Sequence, residues 1–246
     1  MNSEVQTALT DYTAAEDALR AFTDRNFGRM CATCARWTLL AAQSDAKWRL
    51  SSWVTNCCNA NHALESMDEQ SLAGIVASRE EGREWWKKVK RANTAPCSAL
   101  TEQGCALQRG RPELCNRYFC EAVRDYLWQL GGERRGAQLA ERLDDVQRRW
   151  TALYETYQRA IQDGRDGLRQ FRAARLRREA GADDFLALLD QFDGEIAACA
   201  RPVSAEMMAD KLFKVSGEES VYRPFFEREM AAVGGMIRRP AASEGE

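Results

Sequence analysis

The sequence predicts an all-α fold, a helical bundle carrying one irregular, cysteine-rich segment. Three observations predict it. Apolar residues recur at helical spacing, most clearly at Leu139, Leu143, Val146, Trp150, Leu153, Tyr157 and Ile161. No stretch shows the apolar–polar alternation of half-buried strands, and no internal repeat is visible. Irregularity is concentrated before residue 121, where eight of the nine cysteines lie between Cys31 and Cys120.

The elements follow in order. Residues 4–30 predict one helix, with Val5, Leu9, Tyr12, Ala15, Leu19, Phe22 and Phe27 on its apolar face. Trp37, Leu40, Ala41, Trp48 and Trp53 predict helix on either side of Gln43-Ser-Asp45. Asp68 to Lys90 reads as a further helix, capped by Ser66 or Asp68, with Lys87, Lys88 and Lys90 at its negative end. Pro96, Gly104, Gly110 and Pro112 predict a loop over 91–112. Val123, Tyr126, Leu127 and Leu130 form a stripe that stops at Gly131-Gly132. The long helix of Leu139–Ile161 weakens at Gly164 and Gly167. Another is expected near Leu168–Glu179, and one from Asp183 or Asp184 through Ile196 to about Ala200. Ser204 caps a short helix with Met207, Met208, Leu212 and Phe213, and Arg223-Pro224 opens a last one. The expected organisation is residues 1–130 as an N-terminal helix with a cysteine-cluster region, 131–237 as a helical region packed on it, and 238–246 as a disordered tail.

Composition narrows the functional classes. The chain has 246 residues, is 29% charged and carries a net charge of −2. That balance gives no global attraction to nucleic acid or to a membrane surface. No run of about eighteen apolar residues occurs, so no membrane span is expected. The mixed charges of residues 1–30 do not read as a signal peptide. A cytoplasmic location is expected, where thiols stay reduced and gathered cysteines bind metal or react more often than they form bridges.

The candidate ligands are Cys97, Cys105, Cys115, Cys120, Cys34, Cys31, Cys57 and Cys58. Thiolates are soft donors, and four of them complete a zinc tetrahedron or hold an iron–sulfur cluster. Cys31-Ala-Thr-Cys34 has the spacing of a metal knuckle. Cys57-Cys58 is a vicinal pair whose adjacent side chains do not normally face one ion, though a cluster or a bend could accommodate them. The run from Cys97 to Cys120 is the stronger signal, because a turn at Gly110 and Pro112 folds its halves together. Arg109 and Arg111 either offset thiolate charge or are solvated loop arginines.

Cys97-x7-Cys105 followed by Gly110-Arg111-Pro112-x-x-Cys115 resembles the zinc- or iron-chelating cysteine-cluster family of the YkgJ type. A more distant similarity is to flagellin lysine methylases. The resemblance covers roughly residues 31–120 and implies metal binding, often as iron–sulfur. The upstream C-x-x-C-C of that family is not intact, since Val54 precedes Cys57-Cys58 and Ala35 follows Cys34.

Other features carry less. His62 is the one histidine, a helical turn after Cys58, and reads as surface more readily than as ligand or base. No nucleophile motif or phosphate loop appears. Arg165, Arg169, Arg172, Arg175, Arg177 and Arg178 form a basic run, with Arg165, Arg169 and Arg172 on one helix face; a solvated face is favoured over nucleic-acid contact. Trp85-Trp86 reads as core and Cys199 as a buried small hydrophobe. Two functional readings stay open. One is an iron–sulfur or zinc protein, a metal-dependent redox or peptide-modifying enzyme. The other is a non-catalytic helical protein with a structural zinc that binds a protein or peptide partner.

Overall fold

A computed structural model describes residues 3–44, 71–80, 97, 99–107, 109–165 and 172–199. Over these residues the protein is helical. The elements are α1 (Ser3–Ser44), α2 (Leu72–Glu80), β1 (Leu100–Thr101), β2 (Gly104–Cys105), α3 (Glu113–Arg117), α4 (Glu121–Arg165), α5 (Ala173–Glu179) and α6 (Ala182–Ala197). None of these helices is long and apolar enough to cross a membrane.

The apolar stripe expected for the first helix is buried along its whole length, from Val5 to Phe27. The helix continues through Cys31-Ala-Thr-Cys34 to Ser44. The expected metal knuckle therefore lies within a helical turn. Helix α2 begins at Leu72, later than Asp68. Its cap is Ser71, whose Oγ accepts the Gly74 N–H at 3.1 Å, and not Ser66 or Asp68. Leu72, Ala73, Ile75, Val76 and Ala77 are all buried, so α2 is wrapped by the protein on most sides.

The loop expected over 91–112 contains a small antiparallel hairpin, with Leu100 opposite Cys105 and Thr101 opposite Gly104. Gly104 takes a φ of 109°, and the Thr101 hydroxyl donates to its carbonyl at 2.9 Å. Strands two residues long are too short to show alternation in sequence.

Helix α4 is two arms joined at Gly132, where φ is 68° and ψ −173°. The break falls where Gly131-Gly132 predicted it. The arms fold back on each other: a Cβ on Gly136 would lie 2.6 Å from the Trp128 Cα. Arg124 pairs with Asp144 and donates to Gln147 across the two arms. The result is an αα-hairpin whose tip requires residues without side chains.

Helices α1, α4 and α6 pack mutually, with α5 bracing α1 and α6. One hydrophobic core runs from Val5 to Ile196 and takes residues from all of these helices and from α2. Its centre is aromatic: Tyr12 meets Trp150 at 5.7 Å and Tyr157 at 6.1 Å, both tilted, and Trp150 meets Phe185 at 5.8 Å. The predicted stripe from Leu139 to Ile161 is buried at every position. Helix α6 starts after Gly181, which takes a φ of 62°; Asp183 and Asp184 lie in its first turn and do not cap it.

The basic run does not share one helix face. Arg165 closes α4, whereas Arg172 is extended ahead of α5. Arg177 bridges Asp11 and Asp183, and Arg175 pairs with Glu179, as befits an ion-paired surface. The expectations for Trp48, Trp53, Cys57, Cys58, His62, Trp85-Trp86, Lys87 to Lys90, Arg169, Ser204 to Phe213, Arg223-Pro224 and residues 238–246 lie outside the described residues.

Candidate functional site

Four of the cysteines singled out in the sequence line one cavity of about 580 Å³. Each comes from a different place in the fold. Cys31 is on α1, Cys105 on β2, Cys115 on α3, and Cys120 at the junction leading into α4. Cys97 is absent from the lining. It packs beside Cys105 against Ala73, Ala77, Ala99 and Leu107. The side chain of Cys34 is outside the described set, as are Cys57 and Cys58 entirely. As placed, no three His, Cys, Asp or Glu side chains among the described residues form a group able to hold a metal ion.

The Gly-Arg-Pro turn brings Cys105 and Cys115 to the same side, and a buried carboxylate holds that turn. Glu16 on α1 is 1% exposed. Its Oε2 accepts the Gly110 N–H at 2.9 Å, and its Oε1 accepts both the Arg111 N–H and the Asn116 Nδ2, each at 2.9 Å. Burial pushes the Glu16 carboxyl above its ordinary pKa, while the three N–H donors and the Arg111 charge oppose the rise. Asn116 is itself buried and directly follows Cys115, so the same contact fixes α3.

Asp17, the next residue on α1, clamps the turn from outside. Arg109 grips it in a fork, with Nε to Oδ1 at 3.0 Å and Nη2 to Oδ2 at 2.6 Å. Arg109 is thus ion-paired to α1 and not merely a solvated loop residue. Gly110 lies against α2 with φ +69°, and a Cβ there would fall 2.3 Å from the Ala77 backbone nitrogen. Only glycine meets both conditions. Arg111 turns the other way: its Nε donates to the Leu107 carbonyl at 2.8 Å, and the residue lines the cavity.

Helix α3 is tied to the bundle beyond it. Thr151 donates to Glu113 at 3.0 Å, and Gln147 Nε2 donates to the Arg117 carbonyl at 2.6 Å. Cys120 then starts α4 by accepting the Val123 N–H at 3.0 Å. The cavity is also lined by apolar residues, among them Leu19, Phe27, Met30, Phe119 and Val123. Arg20, Arg29 and Arg111 face the same space, with Asp24.

Glu16, Asp17 and Asn116 were not picked out as functional in sequence. One signal pointed to Glu16: it lies four residues after Tyr12, so it is a carboxylate on the buried face of an amphipathic helix. Cys199 stands apart from the cavity, as expected. It is partly rather than fully buried, and its thiol donates to the Glu195 carbonyl at 3.4 Å. No family model, curated protein or solved structure matches the chain.

Proposed function

We propose that the cavity is a thiolate metal site and that the protein is a cytoplasmic cysteine-cluster metalloprotein holding an iron–sulfur cluster or zinc. The supporting observation is the convergence of Cys31, Cys105, Cys115 and Cys120, from four separate parts of the fold, on one cavity. Soft thiolate donors select these metals over magnesium or calcium. Iron–sulfur takes precedence, because cysteines outnumber the four that one zinc requires. Cys97 beside Cys105, and Cys34, Cys57 and Cys58 in the sequence, are the further candidate ligands.

In this reading the irregular segment between α2 and α4 is the metal-binding segment of the helical bundle. Metal binding and folding share one free energy when the site is absent from the unfolded chain, so metal uptake would stabilise this segment. A bound metal would supply Lewis acidity or electron transfer. The chain's own residues shape the remaining space, hold the turn through Glu16 and set the local charge through the arginines. A cavity of about 580 Å³ is also larger than a closed structural zinc site needs, which favours a centre with room for a ligand.

Anaerobic purification with metal analysis and visible absorption tests the reading. Iron with a charge-transfer band, or stoichiometric zinc, is expected. Cys105→Ser and Cys115→Ser should lower bound metal and the melting temperature together, and Cys199→Ser should leave metal content unchanged. A metal-free protein, or metal that survives both cavity substitutions, rules the reading out.

A further inference from the structure

We propose that Cys97 and Cys105 are a redox pair, which hydrogen peroxide converts to a reversible disulfide. Both are thiols in this structure, not joined in a bridge. One hairpin holds them. The Leu100 N–H donates to the Cys97 carbonyl at 2.9 Å, and this turns Cys97 back beside Leu100. Leu100 stands directly across the ladder from Cys105, and the Ala106 N–H extends the pairing by donating to the Ala99 carbonyl at 2.7 Å. The two cysteines also pack against the same small cluster, Ala73, Ala77, Ala99 and Leu107. Three of those four side chains are single methyl groups, so little bulk separates two sulfurs seated on them. Seven residues lie between the cysteines. The hairpin has already closed that loop, so making the bond orders little further chain.

The cavity assigns the two roles. Cys105 lines it and Cys97 does not, so peroxide entering the cavity meets Cys105. The Cys105 thiolate attacks one peroxide oxygen and the O–O bond breaks. Cys105 becomes a sulfenic acid, and the departing hydroxide takes a proton to leave as water. The Cys97 thiolate then attacks the Cys105 sulfur. The S–S bond forms, the S–O bond breaks, and a second hydroxide leaves as water. Two thiols and one peroxide become one disulfide and two waters; the pair loses two electrons and the peroxide gains them. The pairing itself needs no metal. Its consequence rests on the thiolate metal reading above. A disulfide sulfur is no longer a thiolate donor, so the bridge withdraws Cys105 from the site and the metal is released.

Peptide mapping of the full chain after a small excess of hydrogen peroxide tests this, with the remaining thiols alkylated. The protein is taken both as purified and after chelator treatment, and metal is measured on the same samples. The expected product is a Cys97–Cys105 disulfide that dithiothreitol reverses, at least tenfold more abundant than any other bridge. In Cys97→Ala the sulfenic acid has no partner, so dimedone, which traps that acid, should label Cys105 about tenfold more than in the native chain. Cys199→Ser should change neither result. Thermal melts accompany each variant, and the native-chain map alone decides if Cys97→Ala does not fold. A different dominant bridge, no bridge, or no gain of label at Cys105 in Cys97→Ala overturns the inference. Where metal is bound, its loss should keep pace with the bridge. Metal that leaves ahead of the bridge, stays in bridged protein, or blocks the bridge until chelation overturns the coupling. The expected bridge in a protein purified without metal sinks the thiolate metal reading alone. Bound metal with no Cys97–Cys105 bridge in either preparation sinks this inference alone.

Discussion

Replacing Gly110 with alanine isolates the contact that seats the turn. Two costs add. A left-handed backbone at φ +69° costs an alanine roughly 1–2 kcal/mol relative to glycine. The new Cβ would also lie 2.3 Å from the Ala77 nitrogen, 2.6 Å from the Ala73 oxygen and 2.7 Å from the Ala77 Cα. All three are backbone atoms of α2, so no side chain can rotate away. Restoring contact distance needs a displacement of about 1 Å. That movement would stretch the 2.9 Å bond from Gly110 to Glu16 beyond a useful length. Leaving that buried pair unmade costs a further 1–3 kcal/mol or so. The total is about 2–5 kcal/mol, a large share of the ~5–15 kcal/mol that holds a typical domain together. Gly181→Ala is the control. It has a similar φ of +62° but no atom within 4 Å of the new Cβ, so it bears only the backbone cost of ~1–2 kcal/mol. Urea titrations followed by tryptophan fluorescence report both. If Gly110→Ala costs no more than Gly181→Ala, α2 does not press on the turn, and the account of how Cys105 and Cys115 are brought together is wrong.

Two further predictions follow from the buried polar groups. Glu16→Gln replaces an acceptor that takes three N–H bonds with a group carrying donors of its own, and should cost about 1–3 kcal/mol. Because the folded-state pKa of Glu16 is raised, the native chain keeps this proton to higher pH than the unfolded chain does. The stabilising contribution of that proton is complete below the ordinary carboxyl value of 4.5 and is lost as pH rises through the folded value. The deficit of the Gln variant should therefore be largest near pH 4 and shrink toward neutrality, and urea midpoints that show the opposite slope would contradict the assignment. The Tyr157 hydroxyl is buried without an acceptor among the described residues. Tyr157→Phe should accordingly be neutral or stabilise by up to about 1 kcal/mol, whereas a loss above that in a thermal melt would reveal an unrecognised partner.

The parts legible in the sequence were those governed by a repeating pattern. The stripe from Leu139 to Ile161 is periodic because one face of α4 meets the core at every turn, and each of its positions is buried. The break at Gly131-Gly132 was legible because a left-handed residue marks itself by lacking a side chain. The reversal of direction at that break was not, since it depends on Gly136 approaching Trp128 through space. In the candidate site, the cysteines announced themselves by clustering, and four of them share a cavity. Cys97 has an equally strong spacing signal but packs on the second, smaller apolar cluster. The residues that hold the site are single, non-repeating pairings. Glu16 meets Gly110 across 94 positions and Arg109 meets Asp17 across 92, and no local rule relates such partners.

That separation also sets the order in which the molecule can assemble. The αα-hairpin of α4 closes over short sequence distances, as in the bond from Arg124 to Gln147 across 23 positions. Contacts of that kind form early, because little chain must be ordered to make them. The first helix is different. It leaves the ribosome before the helices it packs on, and Tyr12 must wait for Trp150 and Phe22 for Phe192 before its apolar face is covered. Glu16 likewise has no turn to hold until residue 116 has been made. The cavity, whose lining runs from Leu19 to Val123, therefore gains its walls only when α1 docks onto elements made after it.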